Sequence, residues 1–333
     1  MNKKCIGCGA ILQDNNKLIE GYTTSLNNDF CMRCFRMKNY GEYEFTTKDS
    51  KEYIEMLKKI GLKKDLVLEV VDLLSVPKDL NDIKTYLKEN DIILVLNKKD
   101  CLPLKIKDEK LINYFKDKYP YFKDIIVVSG LKNYNLDLLM EDIYKYKTSN
   151  DIYVVGSTNA GKSTLINKII TDYAIDKKGE ITISPMPSTT LNEIRVSFNN
   201  FDLIDTPGLV ENGNILNYVD LKSIKKISCK KEIKPRTYQI KKGQSLLIDD
   251  LVRIDYLEDT KNSFTFFISN DLDIIKKQTK NIAISNINNV DLKIRPHNDL
   301  VISGLGFIKI IDDCKIKIYI NKKVEVFTRS SLI

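Results

Sequence analysis

One loop of the chain has the residue types and spacing that bind phosphate groups, and from residue 156 it reads GSTNAGKS. Gly156 and Gly161 let the backbone curl, so that consecutive N–H groups face an anion at the positive end of the following helix. Lys162 can reach the β- and γ-phosphates of a nucleotide, and the Ser163 hydroxyl can ligate Mg²⁺. A chance match to GxxxxGK[ST] is disfavoured, because the strand-like run DIYVV precedes the loop and an amphipathic helical stretch follows it. The residues expected to line the phosphates are Asn159, Ala160, Gly161, Lys162, Ser163 and Thr164.

Two further segments have the residues that would complete a magnesium–nucleotide site. Asp205 begins the sequence DTPG at the end of an apolar run, where it can hold the Mg²⁺ shell through water, and the Gly208 N–H can sense a γ-phosphate. Thr190, or else Thr189, could coordinate Mg²⁺ once the γ-phosphate is present. A turn or capping role is the alternative for either threonine. We therefore expect the loop after Gly208 to switch with the nucleotide state.

The sequence NKKD at residues 97–100 predicts selection of guanine. Asp100 can accept hydrogen bonds from guanine N1–H and the 2-amino group, which adenine cannot donate, so the wrong base would leave the carboxylate unpaired. Asn97 belongs to the same motif, and Lys98 can lay its apolar stem on the purine. Ser129 and Gly130, at the end of the next strand-like run, would bring a backbone N–H near guanine O6. An ordinary exposed turn is the alternative for NKKD alone. The phosphate-binding loop at residues 156–163, called the P-loop below, and DTPG elsewhere in the chain argue against it.

The order of these motifs along the chain is unusual. In most GTPases the P-loop comes first and the guanine motif follows DxxG, whereas here NKKD and Ser129-Gly130 precede the P-loop, PSTT and DTPG. The order is one cyclic sequence cut at a different point, and a parallel sheet tolerates such a cut when the new termini lie at the surface. The chain thus predicts a circularly permuted GTP-binding domain whose switch leads into the C-terminal part.

Two CxxC pairs near the N-terminus predict a structural zinc site with the ligands Cys5, Cys8, Cys31 and Cys34. Each turn can aim two thiolates at a common tetrahedral ion. Redox cysteines and an iron–sulfur cluster are the alternatives.

The composition and charge of the chain limit its class. With 43% hydrophobic and 29% charged residues, it is expected to be soluble and globular. No apolar run of membrane-spanning length and no signal peptide is visible, which predicts a cytoplasmic protein. The only histidine is His297, which disfavours hydrolases built on a histidine base. Residues 222–242 hold nine basic residues and one acidic residue, which favours a polyanionic partner such as nucleic acid over a solvated lysine-rich helix.

The apolar pattern predicts the elements that would position these residues. A short helix is expected at residues 49–61, followed by Val/Ile-rich strands at 65–72, 91–97, 124–130, 151–156 and 201–205 that alternate with amphipathic helices. This pattern is typical of a doubly wound α/β domain with a parallel sheet. Alternating segments after residue 235 predict a mainly β domain. The expected domains are a Cys₄ zinc-binding domain (1–45), a permuted GTPase domain (46–212) and a C-terminal RNA- or ribosome-interacting domain (213–333).

The series CxGCG, CxRCFR, NKKD, GSTNAGKST, DTPGL, IKPRTYQIKKGQSL and SGLGF resembles the circularly permuted ribosome-biogenesis GTPases of the YqeH type. The resemblance implies GTP/GDP and Mg²⁺ as cofactors, and a role in small ribosomal subunit assembly with contact to rRNA or a pre-ribosomal particle. Leu209 stands where some GTPases have a water-orienting glutamine, which implies slow hydrolysis without a partner. Asn159 matches an asparagine that helps hold a catalytic K⁺ ion in similar GTPases. Gly130 stands where the family usually has alanine.

The leading hypothesis is a GTPase switch with Lys162, Asn159, Thr190 and Gly208 as catalytic residues, released from RNA on hydrolysis. The alternative is a nucleotide-binding RNA scaffold with little turnover. A membrane-surface GTPase is disfavoured because neither an apolar amphipathic face nor a lipidation motif accompanies the lysines. The sequence leaves the oligomeric state open.

Overall fold

The structure is a computed structural model that describes residues 3–6, 10–15, 21–32, 47–48, 50–173, 184–187, 194–198, 200–281 and 289–333. The chain forms two compact units. The first comprises residues 1–72, 80–99 and 115–211, and the second comprises residues 73–79, 100–114 and 212–333. None of the helices in the described ranges combines the length and the apolar character needed to span a bilayer.

The strands described in the first unit are β1 Thr47–Lys48, β2 Leu66–Asp72, β3 Ile92–Asn97, β4 Asp124–Val127, β5 Asp151–Val155, β6 Ser184–Pro187, β7 Ile194–Ser197, β8 Asp202–Asp205 and β9 Gly208–Leu209. Seven of them form one sheet with the order β4-β3-β2-β5-β8-β7-β6. The strands β4, β3, β2, β5 and β8 are parallel, whereas β7 and β6 add an antiparallel edge. A separate short pair joins β1 to β9.

Helices follow the parallel strands, as the sequence pattern predicts. They are α1 Ser50–Gly61, α2 Asn81–Tyr86, α3 Asp108–Lys118, α4 Leu136–Tyr146 and α5 Lys162–Tyr173, and α3 has residues in both units. Alternate residues Leu66, Leu68 and Val70 of β2 pack with apolar residues of α4 and α5 in one buried core cluster. Successive strand residues point to opposite faces, so Val67, Glu69 and Val71 face the other side of the sheet. The continuous apolar runs of β2 and β3 therefore reflect a sheet covered on both faces.

The strands described in the second unit are β10 Arg236–Ile240, β11 Gln244–Ile248, β12 Val252–Tyr256, β13 Asn262–Ile268, β14 Ile274–Gln278, β15 Asn289–Ile294, β16 Asn298–Ile302, β17 Gly306–Ile310, β18 Cys314–Tyr319 and β19 Val326–Ser330. They form a sandwich of two five-stranded antiparallel sheets, ordered β10-β13-β17-β16-β19 and β14-β11-β12-β18-β15. Buried residues of both sheets form one core cluster, as expected for sheets packed face to face. The helix α6, Leu221–Ile227, is capped by the Asp220 carboxylate, which accepts from the Ser223 N–H.

These findings confirm the prediction of a parallel-sheet α/β domain together with antiparallel sheets in the C-terminal region. Residues 241–244 form a turn, in which the Gln244 N–H donates to the Lys241 carbonyl at 3.1 Å.

Candidate functional site

The P-loop connects β5 to α5, so its backbone N–H groups lie at the N-terminus of a twelve-residue helix. Asn159 and Gly161 both have left-handed backbone, with φ 64° and φ 88°. A Cβ at Gly161 would lie 2.4 Å from Asn97 Nδ2, so the position has no room for a side chain. Gly156 is similarly restricted, because a Cβ there would lie 2.3 Å from the Val70 carbonyl oxygen. The two glycines of the motif are thus required by both backbone conformation and space.

Lys162 is buried beneath this loop, with 5% of its surface exposed. Its ammonium group donates to the Gly156 carbonyl at 2.6 Å and to the Ser157 carbonyl at 3.2 Å. Burial lowers the pKa of Lys162 to about 8, and the Asp205 carboxylate opposes this shift. Lys162 and Asp205, which the sequence places far apart, therefore lie within electrostatic reach of one another under the loop.

The DTPG segment lies directly against the P-loop. Leu209 N–H donates to the Gly156 carbonyl at 3.2 Å, and Thr158 N–H donates to the Leu209 carbonyl at 2.8 Å. A Cβ at Gly208 would lie 3.0 Å from Lys162 Nζ, so only glycine fits this position without displacing the ammonium group. The predicted γ-phosphate sensor is therefore next to the predicted phosphate-binding lysine.

Asn97 joins three loops of the site, a role the sequence alone does not show. Its side-chain amide donates to the Ala160 carbonyl at 3.0 Å, and its carbonyl oxygen accepts from the Gly130 N–H at 3.2 Å. Asn97 is 2% exposed, so both hydrogen bonds are shielded from water. The predicted guanine motif, the Ser129-Gly130 loop and the P-loop thus meet at one buried side chain.

The rest of NKKD turns sharply at the end of β3. Lys98 has a left-handed backbone with φ 66°, and its ammonium group pairs with the Asp72 carboxylate at 2.7 Å. A left-handed lysine is an uncommon conformation that tends to occur where function requires it. Asp100 follows in a short 3₁₀ helix, Lys99–Cys101, and is half-buried.

Residues just after Asp100 bond to the basic segment, defined here as residues 222–242. Within the second unit, the Ile233 N–H donates to the Cys101 carbonyl at 2.9 Å. The Leu104 N–H donates to the Glu232 carboxylate at 2.9 Å. The loop that carries Asp100 is therefore held directly by the most basic part of the chain.

Seven of the nine basic residues in that segment are exposed. Lys226 pairs with Asp249, and Arg236 is half-buried and donates to the Leu272 and Ser269 carbonyls, so these two have structural partners. Lys242 pairs with Asp259 but stays accessible. The exposed basic side chains are Lys222, Lys225, Lys230, Lys231, Lys234, Lys241 and Lys242.

The Ser129-Gly130 loop is closed by its own backbone. Ser129 and Tyr134 exchange backbone hydrogen bonds at 3.1 and 3.0 Å, and the Ser129 hydroxyl accepts from the Lys132 N–H. A Cβ at Gly130 would lie 2.8 Å from Leu165 Cα, on α5. Glycine therefore stands at this position because the helix after the P-loop approaches the loop too closely for alanine.

Sequence reasoning missed three residues beside the P-loop. Tyr53 of α1 accepts a hydrogen bond from the Gly156 N–H at 3.1 Å. Glu69 of β2 is fully buried, which raises the pKa of its carboxyl to about 8. Glu211 accepts a hydrogen bond from the Ser157 hydroxyl. No local pattern marks these residues as part of a phosphate site, because each reaches it from a distant part of the chain.

Several predicted residues lie outside the described part of the chain, namely Cys8, Cys34, Thr189 and Thr190. The structure does bring Cys5 and Cys31 together, since the Cys31 N–H donates to the Cys5 sulfur at 3.2 Å and both residues are buried. Cys5 and Cys31 also form a small buried core cluster with Leu12.

The donors placed at the site suit a magnesium–nucleotide complex. Ser163 lies in the first turn of α5, and Asp205 ends β8 beside Lys162, which gives hard oxygen donors next to a cation. The two close glycines, Gly161 and Gly208, keep this part of the site free of side chains, because a Cβ would meet Asn97 at the first position and Lys162 at the second. The arrangement can therefore hold a polyphosphate with its metal ion.

Comparison with known proteins also indicates nucleotide chemistry. The family described as "50S ribosome-binding GTPase" matches residues 151–282, and "YqeH-like, C-terminal" matches residues 275–332. The chain is 33% identical to "Uncharacterized protein YqeH" of Bacillus subtilis, with 99% of each chain covered. It is 26% identical to human "Nitric oxide-associated protein 1", over 57% of this chain and 36% of that protein. It is 38% identical to "GTPase Era" of a Thermoanaerobacter strain, over 31% of this chain and 34% of that protein.

The match to YqeH covers 99% of this chain and therefore spans both units described above. Taken with the buried lysine, the close glycines and the joined loops, these matches establish that the chain is a GTP hydrolase that belongs to the YqeH-like family of GTPases.

Proposed function

We propose that the chain is a GTP-driven switch in assembly of the small (30S) ribosomal subunit, and that it binds rRNA or a pre-ribosomal particle. The observation that carries this proposal is the contact between the basic segment and the loop that holds Asp100, through Cys101 and Leu104. A polyanion on these lysines would act on the residues next to the guanine-selecting carboxylate. Nucleotide state and RNA binding would then be coupled over a few residues.

We assign the roles in the nucleotide site as follows. Asp100 selects guanine, Lys98 covers the base, and Asn97 with the loop at Ser129 and Gly130 holds the base site together. The phosphates lie along the P-loop from Asn159 to Thr164. Mg²⁺ is held by Ser163, Thr190 and, through water, Asp205, and Gly208 senses the γ-phosphate.

We further infer that the G domain is circularly permuted. The motif order in the chain supports this, as does a sheet in which the guanine-motif strand β3 precedes the P-loop strand β5. The proposed domains are residues 1–45, 46–212 and 213–333. We place the protein in the cytoplasm, where thiols stay reduced and a Cys₄ zinc site can form. Zinc at Cys5, Cys8, Cys31 and Cys34 predicts one Zn²⁺ per chain, which metal analysis of the purified protein would measure.

We expect the chain to hydrolyse GTP slowly by itself. K⁺ or the ribosome should increase the rate of hydrolysis. Leu209 supplies no side chain that could orient water, and its backbone is already bonded to Gly156 and Thr158. Asn159, exposed and left-handed, is placed to help hold a K⁺ ion at the phosphates.

The test is sedimentation of the protein with separated 30S and 50S particles, each in the presence of a GTP analogue or GDP. We expect co-sedimentation with 30S in the GTP-analogue state and release in the GDP state. Binding to 50S alone would refute the small-subunit assignment. Multiple-turnover hydrolysis with 30S particles completes the test, because unchanged turnover would favour an RNA scaffold over a switch.

RNA binding through the lysines is tested separately by substitution, with a matched control variant. Replacing Lys230, Lys231 and Lys234 with glutamine should reduce both particle binding and its salt dependence. Each lysine–phosphate ion pair that the substitutions remove should lower the slope of log K against log salt by about 0.7–0.9. Lys226→Gln is the matched control, because Lys226 is paired with Asp249.

A further inference from the structure

The segment that enters the first unit lies against the nucleotide loops, and we call it the N-terminal arm. It consists of β1, Thr47–Lys48, and the twelve-residue helix α1, Ser50–Gly61. The arm precedes every nucleotide motif in the sequence, so the motifs assign it no function. In the structure it makes two separate contacts with the loops that bind and sense phosphate.

The first contact is a hydrogen bond from the P-loop to Tyr53. The Gly156 N–H donates to the Tyr53 hydroxyl at 3.1 Å, and both residues are buried. Burial and the carboxyls of Glu69 and Glu211 raise the pKa of the Tyr53 phenol, so it is neutral at any physiological pH. Without the hydroxyl, the Gly156 N–H would be a buried donor that lacks its acceptor, at the residue where the P-loop begins to curl.

The second contact is a strand pair between β1 and β9. Thr47 lies opposite Gly208, and Lys48 lies opposite Leu209, in parallel register. Gly208 is adjacent to Lys162, and Leu209 is bonded to Gly156 and Thr158. The strand of the arm therefore contacts the backbone at Gly208 and Leu209. The helix of the arm contacts Gly156, the first glycine of the P-loop.

We propose that Tyr53 is a positioning residue of the nucleotide site, and that the N-terminal arm responds to the nucleotide state through its strand β1. Tyr53 fixes the start of the P-loop, so that its N–H groups are preorganised for phosphate. The strand β1 follows Gly208 when the γ-phosphate changes the position of that residue. The proposal requires GTP binding, but it does not depend on any ribosomal partner.

The experiment measures dissociation of a fluorescent GDP, mant-GDP, from full-length wild type, Tyr53→Phe and Tyr146→Phe. Tyr146 is the control, because its hydroxyl donates a hydrogen bond to the Asp124 carboxylate at 2.9 Å, also within the first unit. Asp124 begins β4, whereas the nucleotide loops follow the other ends of the strands. Tyr53→Phe should accelerate dissociation about tenfold, equal to about 1.4 kcal/mol. The dissociation rate from Tyr146→Phe should stay within about twofold of the wild-type rate. The difference between the two variants then measures the effect of the position of the lost hydroxyl.

Melting temperature and base preference distinguish positioning from a loss of stability. Both variants should melt a few degrees lower, and the preference of Tyr53→Phe for GTP over ATP should be unchanged because Asn97 and Asp100 are intact. Equal dissociation rates for the two variants, or no acceleration in Tyr53→Phe, would overturn the proposal. A wild type that binds mant-GDP but no ribosomal particle would refute the proposed function alone.

Hydrogen exchange on the wild-type protein tests the strand contact without any substitution. When a GTP analogue replaces GDP, we expect the amides at 47–48 and those at 208–209 to change protection together. A change at 208–209 with none at 47–48 would overturn the coupling through β1, even if Tyr53→Phe failed to fold.

Discussion

Glu69 offers a direct test of the electrostatics beneath the P-loop. Its carboxyl is fully buried on the interior strand β2, and this burial raises its pKa from 4.5 to about 8 by desolvation. One of its oxygens, Oε2, is buried and has no hydrogen-bond partner among the described residues. We therefore expect this carboxyl to be neutral at pH 7 and to be a source of pH-dependent instability. The perturbation is Glu69→Gln, which removes the titration while keeping the size of the side chain.

The expected magnitude follows from the two pKa values. Between pH 4.5 and pH 8 the folded protein keeps a proton that the unfolded chain releases. The free energy of unfolding of the wild type therefore falls as pH rises through this window, by about 1.4 kcal/mol per pH unit. At pH 7 the accumulated cost is about 3 kcal/mol. Above pH 8 both states are ionised and the cost stays constant.

The assay is urea unfolding of wild type and Glu69→Gln at several pH values from 5 to 9, monitored by circular dichroism. Glu69→Gln should become more stable relative to wild type by about 1.4 kcal/mol per unit up to pH 8, and the difference should then level off. The test is the slope of this stability difference against pH. The buried amide of the variant also changes the stability, but by an amount that is independent of pH. Glu55→Gln is the control, since Glu55 is an exposed glutamate of α1 paired with Lys58. It should show no slope above pH 6.

A stability difference between Glu69→Gln and wild type that does not change with pH would refute the reasoning. It would mean that the carboxyl is ionised throughout, and that water or a cation reaches it. A slope of the opposite sign would mean that a nearby positive charge, rather than burial, sets the pKa of Glu69.

Three further predictions concern the nucleotide site itself. Asp100→Asn should weaken GTP binding by about 100-fold or more and leave ATP binding unchanged, measured by competition against mant-GDP; a retained guanine preference would contradict the assignment. Gly130→Ala should destabilise the protein by about 1–3 kcal/mol, because its Cβ would meet Leu165 Cα at 2.8 Å, measured by urea unfolding; unchanged stability would show that α5 moves freely. Turnover should be faster in K⁺ than in Na⁺ at equal ionic strength and lose this preference in Asn159→Ala; equal wild-type rates would exclude the K⁺ role.

The sequence predicts the phosphate loop well because its requirements are local. Gly156 and Gly161 are dictated by backbone conformation and space, and the apolar runs on either side specify a strand and a helix. Parallel strands bring their carboxyl ends to one edge, so NKKD and DTPG had to approach the P-loop. The positions of Lys162 and Gly208 relative to each other follow from these rules.

The supporting contacts could not be predicted, because they join residues far apart in the chain and carry no local pattern. Tyr53 is separated from Gly156 by 103 positions and looks like an ordinary apolar residue of an amphipathic helix. Glu69 interrupts an apolar strand, which the sequence shows, but whether it is paired depends on neighbours from other elements. Asn97 was predicted as part of the guanine motif, whereas its bonds to Ala160 and Gly130 depend on how three loops pack.

The bonds from the basic segment to Cys101 and Leu104 have a thermodynamic consequence that runs in both directions. If an RNA bound to those lysines changes the affinity of the protein for GDP by some factor, then GDP must change its affinity for that RNA by the same factor. Such couplings are typically about 5- to 150-fold, so a ribosomal particle that weakens GDP binding would necessarily bind the nucleotide-free protein more tightly than the GDP-bound protein. Titrations of GDP with and without RNA, and of RNA with and without GDP, must then give the same coupling factor.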